Sequence, residues 1–262
     1  MKRLLAALLC LSLSLPSLPG FAEDQATEKE KWEKRSDRSE EWFFHDLPRH
    51  IGNDLKYSFW NGWHLLFLAA GAGGTVAVHE ADPDIREAFQ PERPLGNTFD
   101  DVMNWGFHPL ILGGASLIAV GAAKLADADK AALTAGTMLE ALALTETITV
   151  GLQFATHRER PDGSNSRSFP SGHTSGVFAL ATVAEVYYGP WVGVPSYVVA
   201  SLVGVSRIDK NKHAASDVVA GAVLGTLIGL GTAKFHKKEF SNFFLVPTAG
   251  NGSAGLTLVH TF

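Results

Sequence analysis

Six apolar runs, each near helix length and each interrupted by charged residues, proline or glycine, constrain this chain more than any other feature. They are Phe59 to Val78, Phe107 to Ala123, Ala131 to Ala155, His173 to Tyr188, Trp191 to Val205, and Val218 to Ala233. All are too long for strands and rich in Ala, Gly, Leu and Val, so they predict an all-α fold of six helices. With 262 residues and 46% hydrophobic content, the chain has room for one domain with appendages. Asp82 to Asp101, which carries Pro83, Pro91 and Pro94, reads as the longest surface loop between the runs.

The ends differ from this body. Residues 1–22 (MKRLLAALLCLSLSLPSLPGFA) carry two basic residues, an apolar stretch and small residues before Glu23. That is the layout of a signal peptide cleaved after Ala22; a retained N-terminal anchor is the alternative. The only cysteine, Cys10, falls within it, so a processed chain would have no disulfide framework and no thiolate chemistry. Residues 23–54 form a charged arm with no apolar period to bury. The helical domain is expected at 55–238. Residues 239–262 contain two β-prone runs around Gly250-Asn251-Gly252, which predicts a short C-terminal β-hairpin capping the helices.

Membrane and soluble readings both fit the apolar runs. The first two approach the roughly 20 apolar residues that a span needs. The third contains Glu140 and Glu146, and the last is short and dominated by Gly and Ala, which also suits close packing in a soluble bundle. Membrane embedding or attachment is the expectation. Six spans counted from an outside N-terminus would place all polar clusters on the cytoplasmic face, so a periplasmic site requires that one run not span or that the domain lie on the membrane. A formal charge of -5 without a sustained basic stripe argues against nucleic acid.

The polar clusters fall between Gln153 and Asp217, each at the edge of an apolar run. Gln153 and Arg160 are seven residues apart, which on one helix ended by Pro161 places both on one face. They could grip an anion together, or form a solvated helix end. Pro170-Ser171-Gly172-His173 precedes a helix, with Ser171 at the N-cap position and the next backbone N–H groups facing outward as an anion site. Gly172 allows close backbone approach, and His173 is placed to exchange a proton; an ordinary capped helix with a surface histidine is the plain alternative. In Ser206 to Asp217, His213 and Asp217 have i, i+4 spacing, so on a helix the carboxylate could orient one imidazole nitrogen and leave the other as a nucleophile. Arg207 and Ser206 add donors nearby. A structural histidine beside a helix cap would look the same singly, but all three clusters together supply what an oxyanion needs.

Arg160-Pro161, Pro170 to His173, Ser206-Arg207, His213 and Asp217 resemble, in order and spacing, the signature of the type 2 phosphatidic acid phosphatase and vanadium haloperoxidase superfamily. The resemblance covers roughly 107–233 and implies a six-helix bundle of that type. It implies a phosphatase acting on a lipid phosphate or pyrophosphate, such as phosphatidic acid or undecaprenyl pyrophosphate, through a phosphohistidine. In this reading His213 attacks phosphorus, Asp217 orients it, and His173 is acid and then base. Gln153, Arg160, Ser171, Gly172 and Arg207 hold the phosphoryl oxygens.

By the same resemblance, no metal and no cofactor take part, the substrate partner is a phosphorylated lipid or a small phosphomonoester, and the cell envelope of a bacterium, at the inner membrane or in the periplasm, is the location. The departure is Gln153, where the superfamily has lysine, so one positive charge is missing unless His157, Arg158 or Arg167 supplies it. A soluble periplasmic acid phosphatase, a haloperoxidase and a non-catalytic phosphate- or lipid-binding relative are the alternatives.

Overall fold

The computed structural model describes residues 47–60, 62–239, 243–250 and 253–260, so the expected signal segment and most of the charged arm lie outside the described residues. Nine helices are described: α1 (Leu47–Phe59), α2 (Gly62–Glu80), α3 (Asp82–Phe89), α4 (Gly96–Gly106), α5 (Pro109–Leu125), α6 (Asp129–Thr156), α7 (Gly172–Tyr188), α8 (Pro190–Asp209) and α9 (Ala215–Glu239). Strand β1 (Phe243–Gly250) pairs antiparallel with β2 (Ser253–His260), Phe243 opposite His260 and Gly250 opposite Ser253.

The expected six-helix bundle with a C-terminal β-hairpin is therefore corrected. The helical assembly has nine members, and no strand takes part in its layers among the described residues. The boundary expected between residues 54 and 55 falls inside α1.

The largest local correction is at 82–101, which holds α3 and α4 rather than a loop. Pro83 lies in the first turn of α3, where the missing N–H costs nothing, and Pro91 and Pro94 fall between the helices. Ile85 and Phe89 of α3 are buried with Val205, Ile208, Ala215 and Val218. Burying Phe89, which is 1% exposed, is worth about 2–3 kcal/mol. That anchors the short helix on α8 and α9.

Helix α9 is the axis of the assembly and packs against α7, α1, α2 and α6. A glycine row makes its approach to α7 possible. A methyl group added at Gly221 would lie 2.7 Å from the Ser171 carbonyl oxygen, and one at Gly225 would lie 2.0 Å from that of Ser175. The two backbones thus meet without side chains between them, and the Ser171 N–H donates to the Asp217 carbonyl at 3.0 Å. The start of α7 is fixed against the start of α9 in this way.

Among the described residues two helices, Pro190–Asp209 and Ala215–Lys237, are long and apolar enough to cross a membrane, and α4 and α5 would together make a third such segment, bent by 50°. Large apolar side chains also face outward on several helices, including Leu66 on α2, Ile118 on α5, Phe154 on α6 and Val194 on α8. Trp60, Trp63 and Trp191 are 83%, 79% and 92% exposed. A water-facing bundle would instead put polar residues there.

Candidate active site

Helix α6 ends at Thr156, because His157 adopts a left-handed conformation (φ 50°) four residues before Pro161. Arg160 therefore sits in the following loop and not on the helix face of Gln153, which corrects the expected shared face. The Gln153 amide donates to the Pro170 carbonyl at 3.0 Å, so it braces the loop instead of reaching forward. The Arg160 guanidinium is half-buried, and its Nε–H has no hydrogen-bond acceptor among the described residues.

All three residues expected to replace the missing charge are engaged with other groups of the protein. The Arg167 guanidinium stacks over Phe154 at 4.5 Å, and exposed His157 turns its Nδ1 toward the Phe154 carbonyl at 3.4 Å. Arg158 is engaged elsewhere: Nη1 donates to Asp217 Oδ1 at 2.7 Å and to Ser216 Oγ at 2.8 Å, while Nη2 donates to Asp82 Oδ2 at 2.8 Å.

Ser171 occupies the N-cap position of α7 as expected, but its side chain makes no capping bond and accepts instead from Thr174 Oγ1 at 3.0 Å. Gly172 is the first residue of α7, and His173 the second. His173 Nε2 lies 3.1 Å from the Asn104 carbonyl oxygen. A carbonyl only accepts, so Nε2 carries the hydrogen and Nδ1 the lone pair. Burial, and after it the positive charge of Arg207, lowers the His173 pKa to about 3.

Arg207, near the end of α8, is 3% exposed, donates from Nη1 to Asn104 Oδ1 at 2.6 Å, and has no acceptor for its Nε–H among the described residues. Ser206 does not contribute as expected, because its hydroxyl donates to the Val203 carbonyl at 2.8 Å.

His213 precedes α9 and is almost wholly buried. Its Nδ1 lies 2.7 Å from the Ser168 carbonyl and, by the same reasoning, must be the protonated nitrogen, leaving the Nε2 lone pair free. Burial, then Arg160 and Arg207, hold its pKa well below the ordinary 6.5. The Ser171 N–H donates to the Asp217 carbonyl and Arg158 donates to the Asp217 carboxylate, so the three sequence clusters lie together in one candidate site.

Asp217 is placed differently from expectation. Since α9 begins only at Ala215, the i, i+4 geometry does not hold, and Asp217 Oδ2 lies 3.9 Å from His213 Nδ1, beyond a hydrogen bond. The carboxylate accepts from Ser168 Oγ at 2.6 Å and from the Ala214 N–H at 2.8 Å, the residues that hold and follow His213.

Three positions escaped the sequence reading: Asn104, which touches both His173 and Arg207; Ser168, between Asp217 and His213; and Asp82. Asp82 accepts from the Ser216 N–H at 2.9 Å, from Ser216 Oγ at 2.6 Å and from Arg158. Burial raises its pKa, but these hydrogen bonds outweigh it and keep the carboxyl below its usual range. A cavity of about 460 Å³ opens beside this network, lined by His79, Asp82, Arg86, Arg158, Glu159 and His213 among others.

Residues 134–241 match the family model of the PAP2 superfamily. A lipid A 1-phosphatase of Porphyromonas gingivalis is 49% identical over 80 residues, covering 29% of this chain and 18% of that protein. Lipid phosphate phosphatase 1 of Arabidopsis thaliana is 35% identical over 88 residues, covering 28% of this chain and 26% of that protein. The chain thus spans only about a fifth to a quarter of the length of these curated relatives. The crystal structure of a transmembrane PAP2-type phosphatidylglycerolphosphate phosphatase from Bacillus subtilis aligns with 71% of this chain and 96% of its own at 24% identity, with a TM-score of 0.47.

Proposed function

We propose that this chain, whose residues 134–241 match the family model of the PAP2 superfamily, is a metal-independent phosphatase of the bacterial cell envelope that hydrolyses a lipid phosphate or pyrophosphate through a phosphohistidine. The observation that carries this reading is the pairing of buried His213, neutral and with Nε2 free, with two arginines, Arg160 and Arg207, each holding an Nε–H that lacks an acceptor. A buried donor without a partner is costly, and a phosphoryl oxygen is the acceptor that matches a guanidinium.

In this reading His213 Nε2 attacks phosphorus in line, forming a P–N bond as the ester or anhydride P–O bond breaks. The phosphate dianion raises the pKa of His173, which gives a proton from Nδ1 to the leaving oxygen while its Nε2–H stays on the Asn104 carbonyl. Water then attacks the phosphorus, His173 takes its proton, the P–N bond breaks and inorganic phosphate leaves. Arg160, Arg207 and the N–H groups at the start of α7 hold the equatorial oxygens as charge develops.

A lipid substrate is favoured over a soluble one by the outward apolar side chains and by a second cavity of about 260 Å³. Phe67, Gly71, Phe178, Val205 and Val223 are among its lining residues, and it shares Ile208 with the cavity at His213. A hydrocarbon chain fits such walls. The non-catalytic alternative draws on Gln153, whose amide is taken up by Pro170.

Phosphate release by the purified protein in detergent, offered a long-chain lipid phosphate and a water-soluble phosphomonoester, tests the reading. Turnover of the lipid in preference to the soluble ester is expected. Turnover of the soluble ester alone would favour the acid phosphatase, and no turnover by folded protein would favour the binding protein.

A further inference from the structure

At a different point of the bundle from His213, three helices bring together residues that the phosphatase reading does not use. Asp54 of α1, Glu140 of α6 and His236 of α9 are 0%, 8% and 0% exposed, and one ligand atom from each lies within 4.8 Å of the other two. His236 Nε2 is 3.0 Å from Glu140 Oε2 and 4.0 Å from Asp54 Oδ1. His236 lies 19 residues along α9 from Asp217, which at 1.5 Å per residue is roughly 28 Å away.

We propose that Asp54, Glu140 and His236 form a structural site for one divalent transition-metal ion of the zinc or manganese type, which ties α1 to α6 and α9. Donor chemistry supports it. One nitrogen and two oxygens form a borderline-hard set suited to these ions.

The spacing is close to what such an ion needs. Ligands at about 2.1 Å from a tetrahedral centre lie about 3.4 Å apart. The Glu140–His236 separation is 3.0 Å and the Asp54–His236 separation 4.0 Å, on either side of that value.

An independent observation points to a further ligand. Ser58 Oγ and Thr232 Oγ1 are fully buried hydroxyls without a hydrogen-bond partner among the described residues. Each lies four residues from a member of the triad, Ser58 from Asp54 and Thr232 from His236, hence one turn along the same helix face. Ser58 is pressed against α9, since a methyl group added at Gly231 would lie 1.9 Å from its Oγ. Two free hydroxyls in this seam are the partners that a metal-bound water would use.

The test uses the full-length protein in detergent, stripped with EDTA, incubated with zinc or manganese, freed of excess ion and assayed for bound metal and melting temperature. About one ion per chain is expected, with a higher Tm that EDTA reverses. Glu140→Gln and His236→Gln should lose the ion, whereas His213→Ala should keep it. Wild-type protein that takes up neither metal and melts identically with and without EDTA would overturn the proposal. So would uptake undiminished in folded triad variants. If those variants fail to fold, the wild-type comparison decides. No outcome depends on phosphatase activity.

Discussion

Asp217 does not touch His213: its nearer oxygen is 3.9 Å from the imidazole Nδ1, and Ser168 stands between them, accepting from His213 with its carbonyl and donating to Asp217 with its hydroxyl. The carboxylate fixes the segment that fixes the histidine. The two contacts of Ser168 can be separated by mutation. Ser168→Ala keeps the carbonyl and loses the hydroxyl, so kcat should fall by about tenfold or less and stability by about 1 kcal/mol. Asp217→Ala removes the acceptor of Arg158, Ser168 and Ala214 in a buried network, and should cost about 3–5 kcal/mol together with most of the turnover. Steady-state kinetics and denaturant unfolding of both variants check this; equal losses would mean that the Ser168 hydroxyl, not its carbonyl, orients His213.

Asn104 should matter although it lies outside the family-matched residues 134–241. Its side chain holds Arg207 and its backbone carbonyl holds His173. Asn104→Ala frees the guanidinium but leaves the carbonyl, so substrate KM is expected to rise about tenfold with a smaller change in kcat. A fall in kcat alone would show instead that the histidine had been displaced.

Gln153 gives two opposed expectations. Because its amide serves Pro170, Gln153→Ala should change kcat/KM by less than about threefold. Gln153→Lys restores the cation that the superfamily carries at this position, and kcat/KM should rise by about tenfold or more. Kinetics of the pair against one lipid phosphate decide; a loss in the lysine variant would show that the brace on Pro170 outweighs the added charge.

The depressed pKa of His213 has a definite sign. The neutral imidazole is the nucleophile, so lowering the folded-state pKa preserves it as pH falls through 6.5. In the unfolded chain the same histidine takes up a proton near that pH, so stability falls as pH drops below about 6.5, by up to about 1.4 kcal/mol per pH unit. His173, lowered to about 3, acts in the same direction. Histidine NMR titration of wild type, with His213→Ala for assignment, should show no His213 transition between pH 7 and 5; a transition near 6.5 would contradict the site geometry.

The groups that make up the site were legible in the sequence because each sits at the mouth of an apolar run: His173 and Ser171 at the start of α7, Arg207 at the end of α8, His213 before α9. Their contacts were not. The i, i+4 spacing of His213 and Asp217 assumed a helix that begins two residues later, and the spacing of Gln153 and Arg160 assumed one that ends four residues earlier. Three prolines between 82 and 101 suggested a loop, yet Pro83 occupies a first helical turn where proline is tolerated. Asn104 and Asp82 reach the site across 103 and 134 residues of sequence, in contacts to Arg207 and Ser216 that no local periodicity encodes.

In the proposed mechanism His213 Nε2 is the atom that receives phosphorus. The most direct measurement is rapid quench of the full-length protein with lipid substrate labelled in its phosphate, under alkaline conditions that preserve phosphohistidine, followed by peptide mapping. Label on the peptide containing His213 in wild type, absent from His213→Ala and accumulating in His173→Ala, is the predicted result. Turnover that persists in folded His213→Ala, or label on another residue, would contradict it.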